Sequence, residues 1–184
     1  MKLAIDLDGV IADSVTLMQA RAVELGVPFV FDQYHPAIDG VEDSKQFVQD
    51  IVDDIFTNDM DKIHPYNDAI ICIPTIIRYL GAVTFVTARK KRYSEATIKW
   101  ISYHFPLEFD LVNKPAADKP QFVLDNDFDV FVEDRLKTAN RAGELGIRTY
   151  LISRRWNIGR PTHPDVIRVN TLAGFYSREV SRNG

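Results

Sequence analysis

The residues most able to do chemistry fall in four separated places: Asp6-Leu7-Asp8-Gly9, Thr87-Ala88-Arg89, Lys119 and Glu133-Asp134. Each is unremarkable alone. Asp-x-Asp-Gly reads as an acidic turn, or as the start of a calcium-binding loop. The twelfth position of such a loop would be Leu17, however, where a bidentate Glu is required. Thr87 alone reads as a strand-end hydroxyl, Lys119 as a surface lysine, and Glu133-Asp134 as an acidic loop. Taken together they supply three Asp, one Glu, one Thr and one Lys at strand ends or a helix start. Carboxylates that close buried strands are costly unless something pairs with them. A divalent cation and a phosphate would pair with the whole set.

The elements that must position these residues follow from periodicity. Residues 2–7 form a short apolar run too brief for a helix, as expected of a buried parallel strand closed by Asp8-Gly9. Asp13 and Ser14 can cap a helix running to Leu25, stopped by Gly26 and Pro28. Phe47, Val48, Ile51, Val52, Ile55 and Phe56 recur at helical spacing with acids opposite. A further helix is expected over 68–80, with Pro74 either kinking it or marking its start, and Gly81 ending it.

From there strands and helices alternate. Strands are expected at 82–87, 109–112, 129–132 and 147–152. Helices are expected at 93–104, 118–125 and 136–145, with Ile98, Ile101, Tyr103 and Phe105 as the apolar face of the first. A short edge strand at 166–169 and a last helix at 172–180 complete the pattern. This alternation implies an α/β fold, a Rossmann-like doubly wound parallel sheet with helices on both faces. Ligands then bind beyond the carboxyl ends of the strands, where all four chemical segments stand. The alternation breaks only at 14–66, read as a small helical cap. The expected division is 1–13 and 67–184 as core, with 14–66 as cap. Phe29, Phe31, Tyr34 and His35 are the cap residues expected over the site.

Composition narrows the remaining classes. The chain has 184 residues, 46% hydrophobic and 26% charged, enough for one compact domain with a small insertion. A net charge of −4 gives no footprint for extended nucleic-acid binding. His35, His64, His104 and His163 are scattered, with no pair at metal-ligand spacing. Cys72 is the only cysteine and sits in an apolar run, as a small buried hydrophobe would. With no disulfide to form within the chain, a reducing, cytoplasmic setting is expected. The apolar region 69–86 is broken by Pro74 and Arg78, so no membrane span or membrane partner is expected.

The order Asp6-x-Asp8-Gly9, Thr87, Lys119, Glu133-Asp134 resembles the four motifs of the haloacid dehalogenase superfamily. Phe85-Val86-Thr87-Ala88-Arg89 and the step from Lys119 to Glu133 fit it closely. The resemblance covers 1–13 and about 68–152 and does not extend to 14–66. It implies a Mg²⁺-dependent phosphatase in which Asp6 attacks phosphorus and Asp8 is the general acid/base. Mg²⁺ would take the Asp6 carboxylate, the Asp8 backbone carbonyl and Asp134, with Glu133 behind them or as an occasional ligand. Thr87, Ala88 and Lys119 would hold the phosphoryl group, with Lys114 the alternative lysine. Members that cleave carbon–halogen or phosphonate bonds lack an Asp at the second position, so Asp8 favours phosphate esters or phosphotransfer.

Residues 153–157, Ser-Arg-Arg-Trp-Asn, resemble the Arg-Pro-Trp-Asn loop of the 5′(3′)-deoxyribonucleotidase branch, with Arg155 in place of Pro. Residues 63–67 depart from the Pro-Gly-Ala turn of that branch. The branch implies a small phosphorylated partner such as a (deoxy)nucleoside monophosphate, with Arg89, Arg155 and Trp156 reaching the substrate. The rival expectations are a phosphatase of another metabolite or of nucleic-acid termini, and a binding module of the same fold without catalysis.

Overall fold

A computed structural model describes residues 1–31, 38 and 40–183. Six parallel strands form one sheet: β1 (Lys2–Ile5), β2 (Ala82–Thr87), β3 (Asp110–Asn113), β4 (Val130–Glu133), β5 (Thr149–Ile152) and β6 (Val166–Val169). Their spatial order is β3-β2-β1-β4-β5-β6. The direction of winding reverses beside β1, between its neighbours β2 and β4. This is the doubly wound parallel sheet expected from the alternation, and it opens a crevice at the carboxyl ends of β1, β2 and β4.

The helices are α1 (Ser14–Glu24), α2 (Ser44–Asn58), α3 (Asn67–Tyr79), α4 (Ser94–His104), α5 (Lys119–Asp125), α6 (Leu136–Glu144) and α7 (Leu172–Asn183). Strand side chains alternate between two cores. Leu3 and Ile5 of β1 join Ile73 and Ile76 of α3 and Phe175 of α7. Ala4 faces the other way, packing with Val86, Phe131, Val123 of α5 and Ala142 of α6. Each Leu, Ile, Val or Phe among them, fully buried, stabilises the fold by roughly 1.5–3 kcal/mol.

Two sequence expectations are corrected. Pro74 does not mark the start of α3, which begins at Asn67 and runs on through it; Pro74 lies on the exposed face, where water can take the carbonyl it leaves unbonded. The apolar face of α4 is Thr97, Trp100 and Ile101. Ile98 is 44% and Tyr103 82% exposed. The helix is rotated because Trp100 packs beneath the segment returning from 14–66, its Nε1 donating to Ile63 O at 2.7 Å.

The segment between β1 and α3 leaves and rejoins the sheet at one place. Asp13 N donates to His64 O (2.9 Å) and Tyr66 N to Ile11 O (2.8 Å). Asp13 caps α1, its Oδ1 accepting from Thr16 N at 3.2 Å, and Asp43 caps α2 through Gln46 N at 2.9 Å. The two helices pack through Met18 and Ala22 on one side and Ile51 and Ile55 on the other. Arg21 ties them further with ion pairs to Asp54 of α2 and Asp59 just beyond it. Tyr34 and His35 lie outside the described residues.

Candidate active site

The turn after β1 is built around one carbonyl. Leu7 O accepts from the N–H groups of Val10, Ile11 and Ala12 at 3.2, 2.8 and 2.8 Å. Gly9 has φ +81°, and a Cβ there would stand 2.2 Å from Asp134 Oδ2. Glycine is therefore required both by backbone conformation and by the close approach of the acidic loop after β4.

Asp6 follows β1, its N–H donating to Val132 O of β4 at 2.9 Å. Its Oδ1 accepts from Leu7 N at 2.8 Å and from Lys119 Nζ at 2.7 Å. Lys119, the first residue of α5 and 2% exposed, also reaches Glu133 Oε2 at 3.2 Å. Glu133 uses its other oxygen to take the N–H groups of Asp134 and Arg135 at 3.1 and 3.0 Å. Asp6, Glu133 and Asp134 each place a carboxylate oxygen within 4.8 Å of the others.

Among the described residues, three buried carboxylates gather around the Lys119 ammonium. Burial pushes the Asp6 carboxyl well above its ordinary range, and Glu133 adds to this against the pull of Lys119. Burial raises Glu133 as well. Burial opposes the charge on Lys119, but Asp6 and Glu133 outweigh it and hold the ammonium above its usual value. The donor set is hard oxygen, it is rich in buried negative charge, and Gly9 keeps the approach free of a side chain. The residues present therefore fit a divalent cation such as Mg²⁺.

Asp8 behaves differently. Its Oδ2 and Oδ1 accept from Arg89 Nε and Nη2, both at 2.8 Å. The Arg89 side chain is fully buried and that of Asp8 27% exposed. Arg89 Nη1 donates to Thr97 Oγ1 (3.3 Å) and contacts Met60 Sδ (3.1 Å). The guanidinium lies over Phe56, 4.5 Å from its centroid. Burial pushes the Asp8 carboxyl up, but the Arg89 charge and hydrogen bonds outweigh it and hold Asp8 below its ordinary value.

The remaining expected residues are distributed unevenly around these pairs. Thr87 ends β2, fully buried, its Oγ1 accepting from Arg89 N at 3.2 Å, which leaves its O–H to donate. Ala88 is exposed beside it. Lys114 lies over Phe122 at 5.2 Å, whereas Lys119 sits on Asp6. Arg155 is exposed. Trp156 is buried behind the acidic loop, its Nε1 donating to Asp134 Oδ2 at 2.8 Å, and Phe31 packs edge-on to it at 5.4 Å.

Sequence reasoning missed three supports. Asn157 Nδ2 donates to Asp134 O and Ile152 O at 2.7 and 2.8 Å, bracing the loop after β4. Arg154 Nε donates to Gly9 O at 2.6 Å, with its guanidinium 3.9 Å from the Tyr66 centroid. Arg89 was expected at the substrate, yet its fork is spent on Asp8. The need of Asp8 for a counterion at the same sheet edge was the available signal.

No family model matches the chain, and no curated protein does. Solved structures match over nearly its whole length. A haloacid dehalogenase-like family hydrolase, SP0104 from Streptococcus pneumoniae, is 15% identical with a TM-score of 0.66, covering 97% of each chain. The fold is of the haloacid dehalogenase type. CbbY from Rhodobacter sphaeroides, solved in complex with phosphate, is 14% identical with a TM-score of 0.61 over 94% of each chain. A D,D-heptose 1,7-bisphosphate phosphatase from Burkholderia thailandensis is 12% identical, TM-score 0.61, over 98% of each chain. None of these likenesses singles out the 5′(3′)-deoxyribonucleotidase branch. In this fold Asp6 and Asp8 follow β1, Thr87 ends β2 and Glu133-Asp134 close β4, all at the carboxyl edge of the sheet. Among the described residues no helix is long and apolar enough to cross a membrane.

Proposed function

We propose that the chain is a divalent-metal-dependent phosphomonoesterase with Asp6 as its nucleophile and Asp8 as its general acid/base. One observation carries this reading: two carboxylates two residues apart just beyond β1 are held by different cations. Asp6 is on Lys119 beside Glu133 and Asp134, and Asp8 is on Arg89 beside the opening toward α2. In this reading Asp6 attacks phosphorus and carries it as an acyl phosphate, dividing one difficult displacement into two easier ones. Lys119, the Thr87 hydroxyl and the Ala88 N–H hold the phosphoryl oxygens where charge gathers. Asp8 delivers a proton to the leaving oxygen and then takes one from the attacking water.

Asp6, Asp134 and the Asp8 carbonyl are the residues that would hold Mg²⁺, with Glu133 supporting them through Lys119 and the loop N–H groups. A bound Mg²⁺ supplies charge neutralisation for the phosphoryl oxygens. Residues 14–66 serve as a small cap over the core formed by 1–13 and 67–184. The substrate is a small phosphorylated molecule, with a (deoxy)nucleoside monophosphate the specific choice, supported by the likeness of residues 153–157 to that branch. With one cysteine, the chain suits a reducing cytoplasm.

The test is turnover of p-nitrophenyl phosphate, nucleoside monophosphates and sugar phosphates with Mg²⁺ and with chelator. Metal-dependent release of phosphate is expected. A metal-replete chain that turns over none of them contradicts the reading, and selective turnover of a sugar phosphate contradicts the nucleotide choice.

A further inference from the structure

A cavity of about 260 Å³ opens between the α1–α2 pair and the loop after β2, with Asp8 and Ala88 in its lining. On the proposed mechanism Asp8 must touch the leaving oxygen, so whatever that oxygen is attached to occupies this space. Among the described lining residues the apolar wall is formed by Met18 of α1, Phe31, and Val48, Val52 and Phe56 of α2, and the remainder is largely polar.

Among the described lining residues, the polar side chains other than Lys45 are already paired. Asp53 accepts from Lys90 Nζ at 2.7 Å, from the Tyr93 hydroxyl at 2.9 Å and from Gln49 Nε2 at 3.0 Å. Arg89 is committed to Asp8 and Thr97. Among the described lining residues only Lys45 is a cation outside an ion pair, and it stands exposed at the rim. A polyol entering this cavity would lose water from its hydroxyls and find their natural partners occupied, an uncompensated cost. A second phosphate would meet one solvated lysine. An aromatic ring loses little on leaving water and gains contact with Phe31, Val52 and Phe56.

We propose that this cavity binds an aromatic ring of the leaving alcohol, so that the site selects phosphate monoesters of ring-bearing alcohols over those of polyols and over sugar bisphosphates. The inference rests on the phosphatase reading for its orientation, and its test separates the two.

Benzyl phosphate and glycerol 3-phosphate are suitable probes, because both are esters of primary alcohols and differ chiefly in what fills the cavity. Their binding to the Asp6→Asn protein with Mg²⁺ is measured by calorimetry, which requires no turnover. Benzyl phosphate should bind at least about tenfold more tightly, the scale set by burying one ring face. Val52→Trp in the same background, which fills the cavity, should bring the ratio to about one. Equal affinities at the outset, or a ratio that Val52→Trp leaves intact, overturns the assignment. If either variant fails to fold, the kcat/KM ratio of the unmutated chain for the two esters takes its place, with the same tenfold expectation and a ratio near one as refutation. Ring preference in binding without hydrolysis by the unmutated chain would sink the phosphatase reading alone. Hydrolysis without ring preference would sink the cavity assignment alone.

Discussion

Asp6 and Asp8 lie two residues apart, yet the fold gives them opposite surroundings. Asp6 is 5% exposed and shares Lys119 with two other carboxylates on the rigid ends of β1 and β4. Asp8 has a guanidinium to itself, and that guanidinium reaches from Thr97 of the core to Phe56 and Met60 of the 14–66 segment. The first pair is short of positive charge; the second is neutralised within itself. The proposed roles therefore ask for a change at each pair: a cation at the first, which would keep Asp6 ionised for attack, and loosening of Asp8 from Arg89, so that it can hold a proton for the leaving oxygen.

The most severe way to break the comparison is at Asp8. Asp8→Asn should lower the rate of enzyme phosphorylation by alkyl phosphates by about 10²–10⁴. With p-nitrophenyl phosphate, whose leaving group needs little protonation, the loss should be clearly smaller. Equal losses in rapid-quench phosphorylation would show that Asp8 is not the acid.

Lys119→Met attacks the other pair. It should cost about 10²–10³ in kcat, the scale of removing one charged donor from a developing anion. It should also destabilise the metal-free protein by about 3–5 kcal/mol, because Asp6 and Glu133 stay buried without their ammonium. Urea unfolding with and without Mg²⁺ checks this: part of the loss should return with metal, and a loss indifferent to metal would contradict the shared-charge account.

Arg89→Met should be milder, about 1.5–3 kcal/mol from the lost charged hydrogen bonds, since Asp8 keeps partial contact with water. Its kcat loss should fall more heavily on alkyl than on aryl esters, as at Asp8 but smaller. A uniform loss across leaving groups would reduce Arg89 to packing alone.

The smallest effect is in pH, and the two pairs respond with opposite sign. The raised carboxyls of Asp6 and Glu133 mean that the folded state binds protons more tightly than the unfolded chain. Their contribution to stability is full below the ordinary carboxylate pKa and is lost as pH rises through their raised values. Asp8 is lowered, so its contribution is present above the ordinary carboxylate value and lost as pH falls through its depressed one. In chelator, the wild type should gain thermal stability relative to Glu133→Gln as pH falls from about 8 to about 5. A difference that stays flat, or moves the other way, contradicts the charge excess.

Much of this was legible in the chain. The order of Asp6, Asp8, Thr87, Lys119 and the Glu133-Asp134 pair, each at the end of a strand or the start of a helix, follows from runs too short and too apolar to be helices. Less legible were contacts fixed by tertiary rotation. The α4 face was misread through Ile98 and Tyr103 because its true neighbour is the returning segment at Ile63, which periodicity does not reveal. Trp156 was expected at substrate because its motif neighbourhood suggested it. In the fold it orients Asp134 from behind, a hydrogen bond across 22 residues. The Asp8–Arg89 pair spans 81 residues and could be found only by asking where a buried carboxylate finds its counterion.

The central claim is that Asp6 carries the phosphoryl group. Acid-quenching the metal-replete enzyme during turnover of a good substrate, reducing with borohydride and sequencing the peptides by mass spectrometry tests it directly. Reduction of an acyl phosphate should convert Asp6, and no other carboxylate, to homoserine, and Asp6→Asn should abolish both conversion and turnover. Conversion at a different residue, or an Asp6→Asn protein that hydrolyses at the wild-type rate, would contradict the account.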